Sequence, residues 1–212
     1  MLAPVIAAKK PLGLGSASPR RKALLETLGI PLVVIAVDAD ERRRSGEVAD
    51  AYLERVTRDK LARVAADPRA TGASPLLVAD TVVLLGDDIL GKPANAQDAS
   101  AMLARLSGRV HEVRTRFAIA ESPAGEGRAG VLAPIYAETV STMVHFRPLE
   151  SEEIERYTAT GEGMDKAGAY AVQGVGSFAV QRIEGSYANV VGLPVCEVVL
   201  ALKRLGFLPA FP

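Results

Sequence analysis

Leu76-Leu77-Val78-Ala79-Asp80-Thr81-Val82-Val83-Leu84-Leu85 is a run of ten residues in which only Asp80 and Thr81 are polar. Without those two it reads as a strand covered on both faces, the pattern of a sheet flanked by helices on each side. A carboxylate in such a strand is costly, because desolvating a charge without a partner forces it to be neutralised, paired with a cation, or opened to a cavity. Asp80 is therefore a candidate metal ligand or general base. An Asp paired with an interior arginine, or one at a strand bend, is the structural alternative.

Outward from this strand, helix-like and strand-like segments alternate. LGLG (residues 12–15) is a short strand, SPRRKALLETLG (18–29) a helix, PLVVIAV (31–37) a strand and EVADAYLERVTRDKLARVAA (47–66) a long helix. After the central strand come a helix over AQDASAMLARL (96–106) and two strands, RVHEVRTRFAIA (109–120) and IYAETVSTMVHF (135–146), expected to pair antiparallel. The Gly-rich stretch ESPAGEGRAG (121–130) between them reads as a surface hairpin loop. A helix around SEEIERYTAT (151–160), a strand over SFAVQRI (177–183) and a closing helix over PVCEVVLALKRLG (194–206) complete an α/β chain with a mixed sheet. With 212 residues, 49% of them hydrophobic, the chain can bury a sizeable core.

Its 25 basic and 25 acidic side chains cancel, so no global field draws it to nucleic acid or an anionic membrane, and neither is expected as a partner. No apolar run reaches the roughly 20 residues of a membrane span. The apolar residues of MLAPVIAAKK precede its lysines, the reverse of a secretory signal, and a cytoplasmic location is expected. The single cysteine, Cys196, excludes an intrachain disulfide and reads as a buried structural thiol rather than a nucleophile. His111 and His145 stand at no metal-ligand spacing, so a zinc site and a Ser-His-Asp triad are not expected.

Four further stretches carry chemistry. In residues 16–29, Ser18 suits a helix N-cap, Pro19 the first helical position and Gly29 the stop. A strand, turn and helix start there would offer backbone amides, hydroxyls and the Arg20 and Arg21 guanidinium groups to an oligophosphate, although an ordinary capped helix with solvated arginines would look the same. In VDADE (37–41), Asp38, Asp40 and Glu41 crowd after an apolar strand. Magnesium takes one or two such carboxylates, and Glu41 is the preferred ligand, Asp38 and Asp40 being as readily balanced by Arg42, Arg43 and Arg44. Lys60 falls within the apolar stripe of Ala49, Tyr52, Leu53, Val56 and Val64, where it either snorkels to the surface or points into a cleft that holds an anion. Lys92 is held between Gly91 and Pro93 in a stiff loop, and EGMDKAGAYAVQG (162–174) is a loop-forming stretch with an acid, a base and the amide Gln173.

In order, SASPRR, VDADE, VADTVV, LGKP, LSGRVHEVRT, DKAGAYAVQG and GSYANVVGLP resemble the successive signature blocks of the Maf family over nearly the whole chain. The resemblance implies a single domain over residues 1–212, with two lobes around a central cleft and a mixed sheet of the inosine-triphosphatase type, and a homodimer. It also implies a metal-dependent nucleoside triphosphate pyrophosphatase using Mg2+ or Mn2+. Arg20, Thr81 and Gln173 match the members that act on dTTP and UTP. Carried over residue by residue, Asp80 is the proton acceptor and, with Glu41, holds the metal. Ser16, Arg20, Glu41, Lys60, Lys92 and Lys166 line the phosphate and metal site, and Thr81 and Gln173 read the pyrimidine. Ala171, Val172 and Arg116 depart from the family pattern, in packing and on a strand's outer face or a dimer contact. Two other readings remain open at this point: a regulatory nucleotide binder in the inhibition of cell division, and a 7-methyl-GTP pyrophosphatase.

Overall fold

A computed structural model describes residues 5–122 and 133–210. Most of the expected hairpin loop at 121–130 lies outside the described residues. Among the described residues seven strands form one sheet: β1 (Leu12–Gly15), β2 (Leu32–Val34), β3 (Leu76–Leu85), β4 (Asp88–Leu90), β5 (Val110–Ala120), β6 (Tyr136–Phe146) and β7 (Val180–Glu184). Their order is β2-β1-β3-β5-β6-β7, with β4 paired to β3. β1 pairs parallel with β2 and β3, whereas β3–β4 and β6–β7 are antiparallel, so the sheet is mixed as expected. Among the described residues six α-helices accompany it: α1 (Pro19–Thr27), α2 (Ala49–Ala66), α3 (Ala96–Leu106), α4 (Ser151–Ala159), α5 (Tyr187–Val191) and α6 (Val195–Arg204). None of them is long and apolar enough to cross a membrane.

Two compact units divide the chain, one of Met1–Asp80, Arg116–Thr139 and Gly192–Pro212, the other of Thr81–Thr115 and Val140–Val191. In the first, α2 packs its buried Leu61 and Val64 on Ile35, Leu76, Val78, Ala118 and Ala120. Fully burying each such aliphatic side chain contributes about 1.5–3 kcal/mol. Gly15 makes the close approach possible, since a Cβ there would stand 2.5 Å from Val64 Cγ2 and 2.7 Å from Val78 Cγ1. The helix that carries Lys60 is thereby drawn onto β1 and β3. α1 begins as its sequence indicates: Ser18 is the N-cap and accepts from the Arg21 amide, Pro19 opens the first turn, and Gly29 follows the end with φ +68°.

In the second unit α3 and α4 pack on each other. α3 is capped by Asn95, whose side chain accepts from the Asp98 amide at 2.9 Å. Gly168 (φ +72°) turns the segment after Lys166 so tightly against Val83 that a Cβ would meet its side chain at 3.1 Å. Its amide donates to the Gly91 carbonyl at 3.1 Å, tying this segment to the loop that carries Lys92.

Three expectations are corrected. β7 begins only at Val180, because residues 174–179 form a 3-10 turn held by the Glu162 carboxylate on the Val175 and Gly176 amides. The short β4 and α5 were not anticipated. Cys196 is exposed rather than buried: the inward face of α6 is Val198, Ala201 and Leu202, and Cys196 stands on another face.

Candidate active site

Lys60 resolves the anomaly of a carboxylate in an apolar strand. Its position on the buried stripe of α2, with Val56 and Val64 a turn to either side, aims it at β3, and only 7% of it is exposed. Its ammonium donates to Asp80 Oδ1 at 2.6 Å and pairs with Glu41 Oε1 at 2.7 Å. Asp80 is itself 6% exposed, so the charge buried in the strand is matched by a cation of equal burial. Glu41 lies nearer to water, with 38% of its side chain accessible. Lys60 therefore does not snorkel to the surface; its ammonium is held by Asp80 and Glu41.

Arg21 is bonded to the strand at Ala79, the residue before Asp80. The guanidinium, nearly buried, donates from Nη1 to the Ala79 carbonyl at 2.9 Å and to Ser16 Oγ at 3.2 Å, and from Nε to the Gly192 carbonyl at 2.7 Å. Burial lowers its pKa, while the charges of Asp80 and Glu41 raise it and that of Arg20 lowers it further. Ser16 is buried, and its hydroxyl also accepts from the Ser18 amide at 3.2 Å. Arg20, the neighbour on the helix, is half-buried. The first unit thus gathers Ser16, Arg20, Glu41, Lys60 and Asp80, all named from sequence, around a buried arginine.

Glu41 is brought there by a loop that α2 anchors. Tyr52, on the same stripe as Lys60, donates its hydroxyl to the Glu41 carbonyl at 3.0 Å. Burial raises its pKa, and Asp80 and Glu41 add to the shift, so the phenol remains a donor. Asp38 and Asp40 do not join the cluster: Asp38 is exposed, and Asp40 forms an ion pair with Arg42 at 2.8 Å. The Arg42 hydrogen bond holds the Asp40 carboxyl down at about 2.

In the second unit, Thr81 Oγ1 lies 2.8 Å from Thr115 Oγ1. Thr115, fully buried, donates its own proton to the Asn189 carbonyl at 3.3 Å. Either hydroxyl can be the donor in the bond they share. Asn189 locks this arrangement by donating from Nδ2 to the Val113 carbonyl at 3.0 Å and the Val140 carbonyl at 3.2 Å. Lys166 is largely buried, donating to the Glu162 carbonyl and pairing with Asp165. Lys92 and Gln173 are exposed in this unit. His111 is structural as expected, buried against Phe146 and Tyr170 with Nε2 2.8 Å from the Tyr170 hydroxyl.

Tyr52, Arg21 and Thr115 carry roles that sequence reasoning did not assign. The hydroxyl of Tyr52 on the Lys60 stripe was the one visible signal; the partners of Arg21 and Thr115 are remote in sequence. Among the described residues no group of three or more His, Cys, Asp or Glu side chains comes together to hold an ion. Glu41 and Asp80 nevertheless place two carboxylate oxygens on a single cation, the Lys60 ammonium. Two hard oxygen donors fit magnesium or manganese, which take one or two protein carboxylates and fill the remaining positions with water and phosphate.

Chemically, the cluster is a buried carboxylate bonded to a fixed ammonium, beside a second acid and a set of cationic donors. That combination suits proton abstraction from water next to a polyanion. A protein named dTTP/UTP pyrophosphatase from Geotalea uraniireducens (strain Rf4) is 47% identical over 199 residues, covering 94% of this chain and 97% of that protein. One of the same name from Myxococcus xanthus (strain DK1622) is 49% identical over 197 residues, 92% of each. Among solved structures, a nucleoside-triphosphatase / dITP/XTP pyrophosphatase from Mycobacterium abscessus is similar at TM-score 0.37 and 11% identity over 91% of this chain and 93% of that one, too distant to bear on function. The family model described as Maf-like protein matches residues 11–205, a span that takes in every site residue named above, and the chain belongs to that family.

Proposed function

We propose that this chain is a nucleoside triphosphate pyrophosphatase that hydrolyses dTTP and UTP, and modified pyrimidine nucleotides, to the monophosphate and pyrophosphate. The observation that carries the reading is the buried Asp80 held by Lys60 opposite Glu41. Relatives near 47% identity that bear the name dTTP/UTP pyrophosphatase support the substrate class.

Water attacks the α-phosphorus, the bond from that phosphorus to the bridging oxygen breaks, and pyrophosphate leaves with the electron pair. Asp80 accepts the proton of the attacking water; one of its oxygens is bound by Lys60, which fixes the carboxylate and leaves the other to act. Arg21 sets the strand at Ala79 and the Ser16 hydroxyl, so that the base does not drift. Arg20, Lys60, Lys92 and Lys166 are proposed to offset charge on the phosphates. A divalent ion held by Glu41 and Asp80 would neutralise phosphate oxygens and make bound water more acidic. Thr81, hydrogen-bonded to Thr115, is proposed to meet the base. The edge presented there differs between bases, an N3–H in thymine or uracil and a lone pair in cytosine. Gln173 is proposed to read the same edge.

The test is incubation of the purified protein with the common triphosphates and 7-methyl-GTP, in Mg2+ or Mn2+, with pyrophosphate and monophosphate measured. Release from dTTP and UTP well above CTP and the purines is expected. Preference for 7-methyl-GTP, or release from none, would replace this reading with the modified-purine enzyme or the regulatory binder.

A further inference from the structure

We infer that Arg55 is a positioning residue that sets Glu41 against Lys60 and Asp80, an inference that rests on the role proposed above for Glu41. Glu41 lies in the irregular segment between β2 and α2, where no strand or helix ladder fixes the backbone. The guanidinium of Arg55 does so instead. It donates from Nη1 to the Asp40 carbonyl at 3.0 Å and from Nη2 to the Arg42 carbonyl at 3.0 Å, gripping the chain on both sides of Glu41. Its remaining edge is seated on Glu47, Nε to Oε1 at 2.6 Å and Nη2 to Oε2 at 2.9 Å.

This pair is well covered, with 12% and 9% of the two side chains accessible. Glu47 is fixed in turn by the Arg44 amide on Oε2 at 3.0 Å, and the segment's third anchor is the Tyr52 hydroxyl on the Glu41 carbonyl. Four bonds in a plane to two carbonyls and a carboxylate require a guanidinium; an ammonium carries the same charge but cannot span these acceptors together. Arg55 and Tyr52 sit on α2 with Lys60, so one helix places both the ammonium and the loop that brings it a second carboxylate. The arrangement makes the distance between Glu41 and Asp80 a property of that helix.

A double-mutant cycle with Arg55→Lys and Glu41→Gln tests this, read on dTTP turnover, on the Mn2+ concentration giving half the maximal rate, and on hydrogen exchange of amides 38–47. Arg55→Lys alone is expected to lower kcat/KM about 10–100-fold, as loss of an outer support does, and to raise the Mn2+ requirement. Exchange across 38–47 rises. In the Glu41→Gln background the same change should alter turnover and Mn2+ requirement by no more than about twofold, since the group it positions is gone. An equal loss in both backgrounds, or unchanged exchange at 38–47, overturns the inference. If Glu41→Gln alone leaves turnover and Mn2+ dependence untouched, the role proposed for Glu41 fails, a distinct result that removes the inference with it. Tyr52→Phe deletes one bond to the Glu41 carbonyl and repeats the cycle should Arg55→Lys not fold; it should show a loss that likewise disappears in the Glu41→Gln background, and a loss independent of Glu41 overturns the inference.

Discussion

Replacing Lys60 with Met keeps the length and apolar stem of the side chain and removes only the charge between Asp80 and Glu41. Breaking a buried ion pair by deleting one partner costs about 3–5 kcal/mol, because the other charge stays desolvated. The lower end applies here, since Arg21 carries a second positive charge close to Asp80 and Glu41, with 38% of its side chain accessible, can turn to water. In a chain of this size about 3 kcal/mol lowers Tm by roughly 6–12 °C. The same deletion clears the point on which two carboxylate oxygens converge, so Mn2+ added without nucleotide should bind there in place of the ammonium. At a hundred times its Kd an ion restores about 2.7 kcal/mol, nearly the whole loss. Calorimetric scans of both proteins, with chelator and with Mn2+, make the comparison. A Tm rise on Mn2+ much larger in Lys60→Met than in the parent is expected; equal rises in both, or a Lys60→Met protein as stable as the parent in chelator, would refute the reasoning.

Two more outcomes follow from the second unit. Thr115→Val removes the hydroxyl that shares a hydrogen bond with Thr81, and the ratio of kcat/KM for UTP over CTP should fall about tenfold or more, the effect of a mispaired base edge; an unchanged ratio would detach Thr115 from specificity. Burial, and to a smaller degree His145, holds His111 down at about 4 against an ordinary 6.5, so the folded state resists the proton that the unfolded chain takes up. Stability is therefore complete above about 6.5 and declines as pH falls from there toward about 4, and His111→Leu should flatten that part of a Tm-against-pH curve; an identical slope in the variant would contradict it.

Much of this fold is readable where local chemistry decides it. Ser18, Pro19 and Gly29 bracket α1, and α3 spans the eleven residues whose pattern indicates it. β4 and α5, three and five residues long, are too short for any periodicity to register. The turn that delays β7 is set by Glu162, more than ten residues earlier, which no local pattern reports. For the site, strand composition exposed Asp80 and helix spacing exposed Lys60, but their mutual contact joins residues twenty apart and is visible only in three dimensions. Arg20 and Arg21 are indistinguishable by type; a step of about 100° around the helix sends Arg21 inward to Ala79 and Gly192 and leaves Arg20 half-exposed. Arg55 gave no signal because its partners are backbone carbonyls of an irregular segment.

Asp80→Asn probes the proposed chemistry most directly. The amide preserves the shape, and Lys60 keeps its bond to Glu41, so secondary structure by circular dichroism and the KM for dTTP should stay close to the parent values. Loss of a general base lowers turnover by about 10²–10⁴. A kcat reduced on that scale with KM within a few-fold is the expected result, and a variant that still releases pyrophosphate at near-parental kcat would show that Asp80 does not take the proton.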